Sequence, residues 1–294
     1  MSNLSKSTTV YTLNNGVKIP AIGLGTWQSE KGKVGDAVRI ALQAGYRHID
    51  GAAIYGNEEE VGNGIVESKV PRDEIFLTTK LWNTKHKEVE KALDESLQRL
   101  KVDYVDLYLI HWPVAQDPKT EKEYPDWDYL DTYKELQKVY KNTKKIRAIG
   151  VSNFTPKQIE RLLADKDVDV VPVVNQIEAH PLLQQPELLE LLKKNNIRIE
   201  AYSPLGSTEG SIRDLDDVKK IANDLGITPA QVLISWNIQR GDVVLPKSVT
   251  PERIQSNLLT VELPKEVFDQ LNELEKKHGT NRTNVPPFFE FDAN

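Results

Sequence analysis

The 294-residue sequence contains no cysteine. That single absence excludes disulfides, thiolate zinc sites and a cysteine nucleophile. No apolar run approaches the roughly 20 residues needed to span a bilayer, so no membrane partner is expected. The opening stretch Met1-Ser2-Asn3-Leu4-Ser5-Lys6-Ser7 lacks the apolar core of a secretory signal. With the missing cysteines, this makes a cytoplasmic protein the expectation. The five histidines are scattered, without His-x-x-x-His or carboxylate spacing, and no metal is expected. A net charge of -6 argues against nucleic acid as the partner. Asn281-Arg282-Thr283 matches the glycosylation pattern, but without a secretory signal it reads as a chance match in a polar tail.

Hydrophobic residues make up 39% of the chain, enough for a large core. Val10-Tyr11-Thr12-Leu13-Asn14-Asn15-Gly16-Val17-Lys18-Ile19-Pro20 reads as a β-hairpin turning at Asn15-Gly16. Strand-like apolar runs follow at 21–24, 46–49, 75–79, 104–110, 146–151, 171–175, 198–201 and 243–245. Segments of helical period lie between them at 34–43, 58–67, 89–100, 129–140, 156–164, 186–194 and 229–239, with the last barrel helix at 251–258. Thr155-Pro156 and Thr228-Pro229 place a capping hydroxyl before a proline at the first helical position. Gly45 and Gly226 sit just past helix ends. Nearly continuous Ile, Val and Leu in several strands marks parallel strands buried on both faces.

An open doubly wound sheet that binds a dinucleotide carries Gly-x-Gly-x-x-Gly after its first strand. The nearest match, Gly23-Leu24-Gly25-Thr26-Trp27-Gln28, lacks the third glycine. About eight alternating units instead favour a single α/β domain over 1–294, a (β/α)8 TIM barrel. Two helices are extra, at 215–225 and 265–277. The tail 279–294 is expected as a loop over one end of the barrel.

Active sites of such barrels lie at the C-terminal ends of the strands. The groups expected there are Asp50, Lys80, His111, Ser152 with Asn153, Gln176, Tyr202 with Ser203, and Lys247 with Ser248. Tyr55 follows Asp50 by five residues. A phenol with a pKa near ~10 is a weak acid, but a neighbouring ammonium favours its ionised form. Asp50 keeps Lys80 charged, and His111 orients a carbonyl oxygen. Together they form an oxyanion site that delivers a proton. The set has no electron source, so a redox reading requires a cofactor. Trp27, Trp82 and Trp112 flank these positions and, with Phe288 from the tail, suggest an aromatic-walled substrate pocket.

The motifs Gly23-Leu24-Gly25-Thr26-Trp27, Gly45-Tyr46-Arg47-His48-Ile49-Asp50, Lys80-Leu81-Trp82, Asp106-Leu107-Tyr108-Leu109-Ile110-His111-Trp112-Pro113, Gly150-Val151-Ser152-Asn153-Phe154, Asn175-Gln176, Ala201-Tyr202-Ser203-Pro204-Leu205-Gly206-Ser207 and Leu245-Pro246-Lys247-Ser248-Val249 occur in order along the whole chain. In this order and spacing the sequence resembles the aldo-keto reductase family, nearest to its fungal carbonyl and aldehyde reductases. The resemblance implies a barrel that binds NADPH without a Rossmann fold and reduces a small carbonyl substrate to an alcohol, with a monomer as the family default. It implies Tyr55 as the acid, tuned by Lys80 and Asp50, with His111 orienting the carbonyl. It also implies that Ser152, Asn153 and Gln176 hold the nicotinamide carboxamide and that Tyr202 stacks on the ring. Ser203, Pro204, Leu205 and Ser207 would lie along the pyrophosphate, and Gly25, Thr26, Trp27 and Asp50 would also meet the cofactor. Lys247, Ser248, Val249, Arg253 and Asn257 would hold the adenosine end, where two cations suit a 2′-phosphate. The chain departs from the common pattern at Gly51, where many relatives carry Thr, and at Ser256, where many carry Glu.

Two other readings stand beside this one. Lys80 at a strand end fits a Schiff-base nucleophile, although a carboxylate partner opposes that role. A non-enzymatic NADPH-binding sensor also exists on this fold.

Overall fold

A computed structural model describes residues 3–206 and 211–291. Short strands β1 (Ser5–Lys6), β2 (Val10–Thr12) and β3 (Lys18–Pro20) precede the barrel. Its strands are β4 (Leu24–Gly25), β5 (His48–Asp50), β6 (Phe76–Leu81), β7 (Leu107–Ile110), β8 (Ile149–Ser152), β9 (Val174–Glu178), β10 (Arg198–Tyr202) and β11 (Val243–Leu245), all parallel and in sequence order around the sheet. The sheet closes on itself: Gly23 donates its N–H to the Val244 carbonyl at 3.0 Å, Val244 donates to Ala21 at 2.8 Å, and Gly25 donates to Pro246 at 3.0 Å. This is the expected (β/α)8 barrel, with no free edge to pair. β12 (Leu259–Thr260) pairs antiparallel with β1 on the outside.

Helices α1 (Val34–Ala44), α2 (Glu58–Ser68), α3 (Val89–Leu100), α4 (Tyr129–Asn142), α5 (Pro156–Ala164), α6 (Pro186–Lys194), α8 (Pro229–Arg240) and α9 (Pro251–Asn257) surround the barrel, and α7 (Asp216–Leu225) is extra. Both Thr-Pro starts are capping boxes: Thr155 accepts from the Gln158 N–H and Thr228 from the Gln231 N–H, and each glutamine reaches back to its cap. α1 and α2 pack so closely that a Cβ on Gly64 would collide with the Gly35 carbonyl. The second extra helix divides in two, α10 (Lys265–Asn272) and α11 (Leu274–His278). At the break, the Gln184 side chain takes the Asn272 carbonyl at 2.9 Å, and the Asn272 side chain accepts from the Trp236 indole at 2.8 Å. Leu271 and Leu274 both stay buried with Trp236, Val218 and Ile221 in a satellite core. The helix bends there to keep both leucines inside.

The hairpin is present, with Tyr11 opposite Ile19. Its turn differs from the expected Asn15-Gly16 pair. Only Gly16 takes a positive φ, 87°, and Leu13 pairs with Val17 across a three-residue loop.

Strand residues alternate between two environments, as the period of two requires. Ile49, Leu77, Tyr108, Ile110, Ile199 and Ala201 face the helices in the main core. Phe76, Leu107, Leu109, Val174, Val243 and Leu245 fill the lower interior together with Leu13 and Ile19 from the hairpin. The hairpin therefore plugs the N-terminal mouth. Above this apolar layer the buried interior turns polar, with His48, Asp50, Lys80, Gln176 and Glu200. Such a layer is tolerated only if each member finds partners, and those partners build the site.

Candidate active site

A groove of about 1000 Å³ opens at the C-terminal ends of the strands. Asp50, at the last position of β5, lies at its floor. The Lys80 ammonium, with no exposed side-chain surface, donates to Asp50 Oδ2 at 2.8 Å, to the Gly51 carbonyl at 2.8 Å and to the Tyr55 hydroxyl at 3.3 Å. Lys80 lies inside β6 rather than at its end, because that strand runs to Leu81. Burial opposes its charge, but Asp50 and Tyr55 outweigh burial, and its pKa lies above the usual lysine value. A lysine held so firmly as an ammonium is no Schiff-base nucleophile.

Tyr55 ends a short 3₁₀ turn, Ala53–Tyr55. Part of its ring is accessible, but the protein crowded around its hydroxyl raises its pKa. Lys80 pulls the value down, as expected from its charge, and Asp50 adds to the rise. Burial wins, so this phenol holds its proton well through neutral pH. The His111 ring packs edge-on to Tyr55 and Trp82, with centroids 5.7 and 5.3 Å away. Its Nδ1 is buried without a hydrogen-bond partner among the described residues. Burial, then the Lys80 charge, hold its pKa well below the ordinary histidine value, so the imidazole is neutral.

A second layer holds these groups. Gln176 sits in the middle of β9, because that strand starts at Val174 and runs to Glu178, three residues later than expected. Its amide nitrogen donates to Asp50 Oδ1 at 2.8 Å and to Glu200 Oε2 at 2.9 Å. Asn153, with a φ of 62°, donates to the His111 carbonyl at 3.0 Å and to Ser152 Oγ at 3.1 Å, and accepts from the Tyr202 hydroxyl at 2.5 Å. Ser152 Oγ donates to the Gln176 carbonyl at 2.8 Å. Ser152 lies behind the groove and braces Gln176 and Asn153 from there.

Among the other residues expected to meet a cofactor, Gly25, Thr26, Trp27, Asp50, Asn153, Gln176, Tyr202, Ser203, Pro204, Leu205, Lys247, Ser248, Val249, Arg253 and Asn257 all line the groove; Ser207 lies outside the described residues. Trp27, Trp82, Trp112 and Phe288 line it too. Phe288 stands edge-on to Trp82 at 5.7 Å and to Trp112 at 5.3 Å. Lys247 reaches the Gln28 carbonyl at 3.3 Å, linking the two sides of the barrel seam.

Some lining residues were not expected. Arg213 and Lys219 bring two further cations, and Thr283, Asn284 and Pro286 bring the tail. Arg213 stands in no motif, and Lys219 reads like any helix-surface lysine. The tail is tied by Glu178, which accepts the N–H groups of Thr283 at 2.9 Å and Asn284 at 2.8 Å and pairs with His180 Nε2 at 2.8 Å. Burial would raise the Glu178 pKa, but the His180 bond and these N–H groups outweigh it and hold the carboxyl below its usual range. No pattern in sequence joins residues 178 and 283.

Gly51 has room for a side chain: a Cβ there meets Thr26 Oγ1 at 3.5 Å and the Thr78 carbonyl at 3.6 Å, ordinary contacts. Its backbone needs no glycine, so the departure leaves the Asp50–Lys80 geometry intact.

Known proteins agree with this architecture. The family model described as the Aldo/keto reductase family matches residues 21–276. A glycerol 2-dehydrogenase (NADP(+)) of Saccharomyces cerevisiae is 45% identical, over 99% of both chains. An aldehyde reductase of the same yeast is 46% identical, over 96% of this chain and 95% of its own. The crystal structure of an aldo-keto reductase enzyme from a Medee basin deep-sea metagenome library superposes with a TM-score of 0.83 at 40% identity, covering 97% of this chain and 99% of that one. A closed parallel barrel, an Asp–Lys–Tyr–His cluster at its mouth and similarity along nearly the full length lead to one assignment: the chain belongs to the aldo/keto reductase family.

Proposed function

We propose that this protein reduces aldehydes and ketones to alcohols with NADPH, and that Tyr55 protonates the carbonyl oxygen. The observation that carries this is the Tyr55 hydroxyl held 3.3 Å from a buried, carboxylate-paired ammonium beside a neutral imidazole. The fit to the cofactor rests on the groove. Its volume suits a large ligand, its outer part bears Lys247 and Arg253 for a phosphate, and Tyr202 offers an aromatic face beside Asn153 and Gln176. Both protons of the Gln176 amide are engaged below, so this residue offers its oxygen to the groove.

When bound, NADPH supplies the hydride. The substrate carbonyl oxygen sits between Tyr55 and His111, and neutral His111 donates a hydrogen bond that orients it. As charge builds on that oxygen, Tyr55 gives up its proton. Lys80 stabilises the phenolate left behind, and Asp50 keeps Lys80 charged and aimed. Trp82, Trp112 and Phe288 exclude water from the reacting carbon. The aromatic wall favours carbonyls with an apolar substituent.

We read 1–294 as one domain acting as a monomer in the cytoplasm. The site draws all its groups from one chain, and a cysteine-free composition suits a reducing compartment. Among the described residues no helix is long and apolar enough to cross a membrane.

The test is NADPH oxidation against a panel of aldehydes and ketones, with NADH as the paired control. Turnover of several carbonyls with NADPH supports the reading. Tight NADPH binding with no turnover across the panel returns the chain to the sensor class.

A further inference from the structure

Beneath Asp50 lies a second buried carboxyl group, Glu200, that the mechanism above does not use. It stands at the centre of β10, with no exposed surface. One oxygen, Oε2, accepts from the Gln176 amide at 2.9 Å. The other, Oε1, has no hydrogen-bond partner among the described residues, and His48 Nε2 stands across from it at 3.8 Å. That nitrogen is also without a hydrogen-bond partner among the described residues.

The other side of the His48 ring explains the pairing. Nδ1 lies 3.1 Å from the Pro20 carbonyl, which can only accept. Nδ1 therefore carries the ring hydrogen, and Nε2 presents a lone pair toward Glu200. Two lone pairs facing each other in a dry interior are costly, and a single proton between them removes the cost. The fold makes room for the ring: a Cβ on Gly23 would stand 2.8 Å from His48 atoms.

We propose that the barrel floor stores one proton between Glu200 and His48, and that Glu200, as a neutral acid, is a positioning residue that fixes the Gln176 amide beneath the nicotinamide end of the groove. The proton belongs on the carboxyl. Burial, then the negative charge of Asp50, push Glu200 up to about 8, while burial holds His48 below its ordinary value. The charged and titratable groups around the pair are Asp50 from β5 and Lys80 from β6, with Asp106 acting on His48 from further off. β9 contributes the uncharged Gln176, and β11, on the other side of β10, is Val243, Val244 and Leu245. Lys80 is thus the nearby cation, and its partner is already Asp50. A neutral Glu200 leaves that pair undisturbed. It also accepts one Gln176 proton while Asp50 accepts the other, which turns the amide oxygen toward the groove.

The functional half of this inference rests on the NADPH reading; the proton itself does not. Glu200→Gln reproduces the neutral acid, because its oxygen can accept from Gln176 and its NH₂ presents a hydrogen toward His48 Nε2. Glu200→Met keeps the bulk and removes the acceptor. The first measurement is urea unfolding of wild type and Glu200→Gln across pH. A carboxyl whose folded pKa is raised from 4.5 to about 8 gives stability that is complete below 4.5 and is lost as pH rises through about 8. The unfolding midpoint of Glu200→Gln should therefore rise steadily relative to wild type across that window. A difference that stays constant with pH overturns the stored proton. The second measurement is NADPH binding by fluorescence titration. Wild-type affinity should weaken as pH passes about 8, affinity of Glu200→Gln should stay level, and Glu200→Met should bind about tenfold more weakly at every pH, a loss of about 1.4 kcal/mol. A Glu200→Gln variant as weak as Glu200→Met shows that the carboxylate charge is needed and sinks the positioning role. If wild type fails to bind NADPH at all, the proposed function falls, and the unfolding comparison still decides the proton.

Discussion

At the deep end of the groove, Lys80 has no exposed side-chain surface and meets three oxygens, from Asp50, Gly51 and Tyr55. On the outer arm, Lys247 and Arg253 are exposed, and Lys247 donates to the Gln28 backbone carbonyl at 3.3 Å. The same kind of charge does different work in the two places. In the dry floor the field of one ammonium is strong and its direction is set by neighbours. On the rim water screens each cation, so the proposed recognition of a phosphate there would rest on several weak contributions. In the proposed reaction the floor handles a proton, and the rim holds a ligand that comes and goes.

Substitutions at the two ends test that contrast. Tyr55→Phe should lower turnover by roughly 10²–10⁴-fold while NADPH affinity, read by fluorescence titration, stays near wild type. Equal losses in both would erase the division between floor and rim. Because the Tyr55 pKa is raised, wild-type reduction at saturating NADPH should persist through neutral pH and fall only as the pH climbs past the ordinary phenol range; an alkaline limb well below that range, in kcat/KM for the carbonyl with the cofactor kept saturating, contradicts the assignment. Lys80→Met should cost about 3–5 kcal/mol of stability, since it leaves the Asp50 charge buried without its partner, and urea unfolding reads this directly. On the rim, Arg253→Ala should weaken NADPH binding about tenfold and leave NADH binding unchanged; a larger loss would mean that the rim is not screened as described.

Smaller effects lie between the two regions. Glu178→Gln weakens the tie to Thr283 and Asn284, so KM for bulky carbonyls should rise several-fold while kcat for small ones holds. Its carboxyl is held below 4.5, so the stability it gives is present above the ordinary glutamate range and lost as pH falls through the lower folded value. Acid should therefore loosen the tail first, read as proteolysis near residue 283. Gly51→Ala should raise stability by up to about 1 kcal/mol with turnover unchanged, because its Cβ meets only ordinary contacts.

Much of the floor is legible in the sequence because it lies on regular strands. Asp50 and His111 follow apolar runs, and the period of two fixes which neighbours face inward. Helix starts are equally plain where a Thr-Pro pair is followed by Gln158 or Gln231. The run 171–175 misleads. Val171 is 40% exposed, and Pro172 has no N–H to donate, so β9 begins later and carries Gln176 and Glu178 into the interior. Polar residues inside a strand look like loop residues until the barrel closes around them. The break between α10 and α11 depends on Gln184 and Trp236, both distant in sequence. Glu178 with Thr283, and Glu200 with His48, are likewise joined only by the fold.

The seam that closes the barrel has a consequence for how the protein is made. The hydrogen bonds from Gly23 and Gly25 to Val244 and Pro246 join the first strand to the last, and the groove is lined from both sides of that seam. Until residue 247 has left the ribosome, the first barrel strand lacks its second neighbour and the groove lacks a wall. The ligand is therefore expected to reward only the finished chain, adding stability after folding rather than guiding it. Nascent chains ending before Val243 should show no NADPH-dependent protection from protease, and full-length chains should gain it as soon as the seam is sealed.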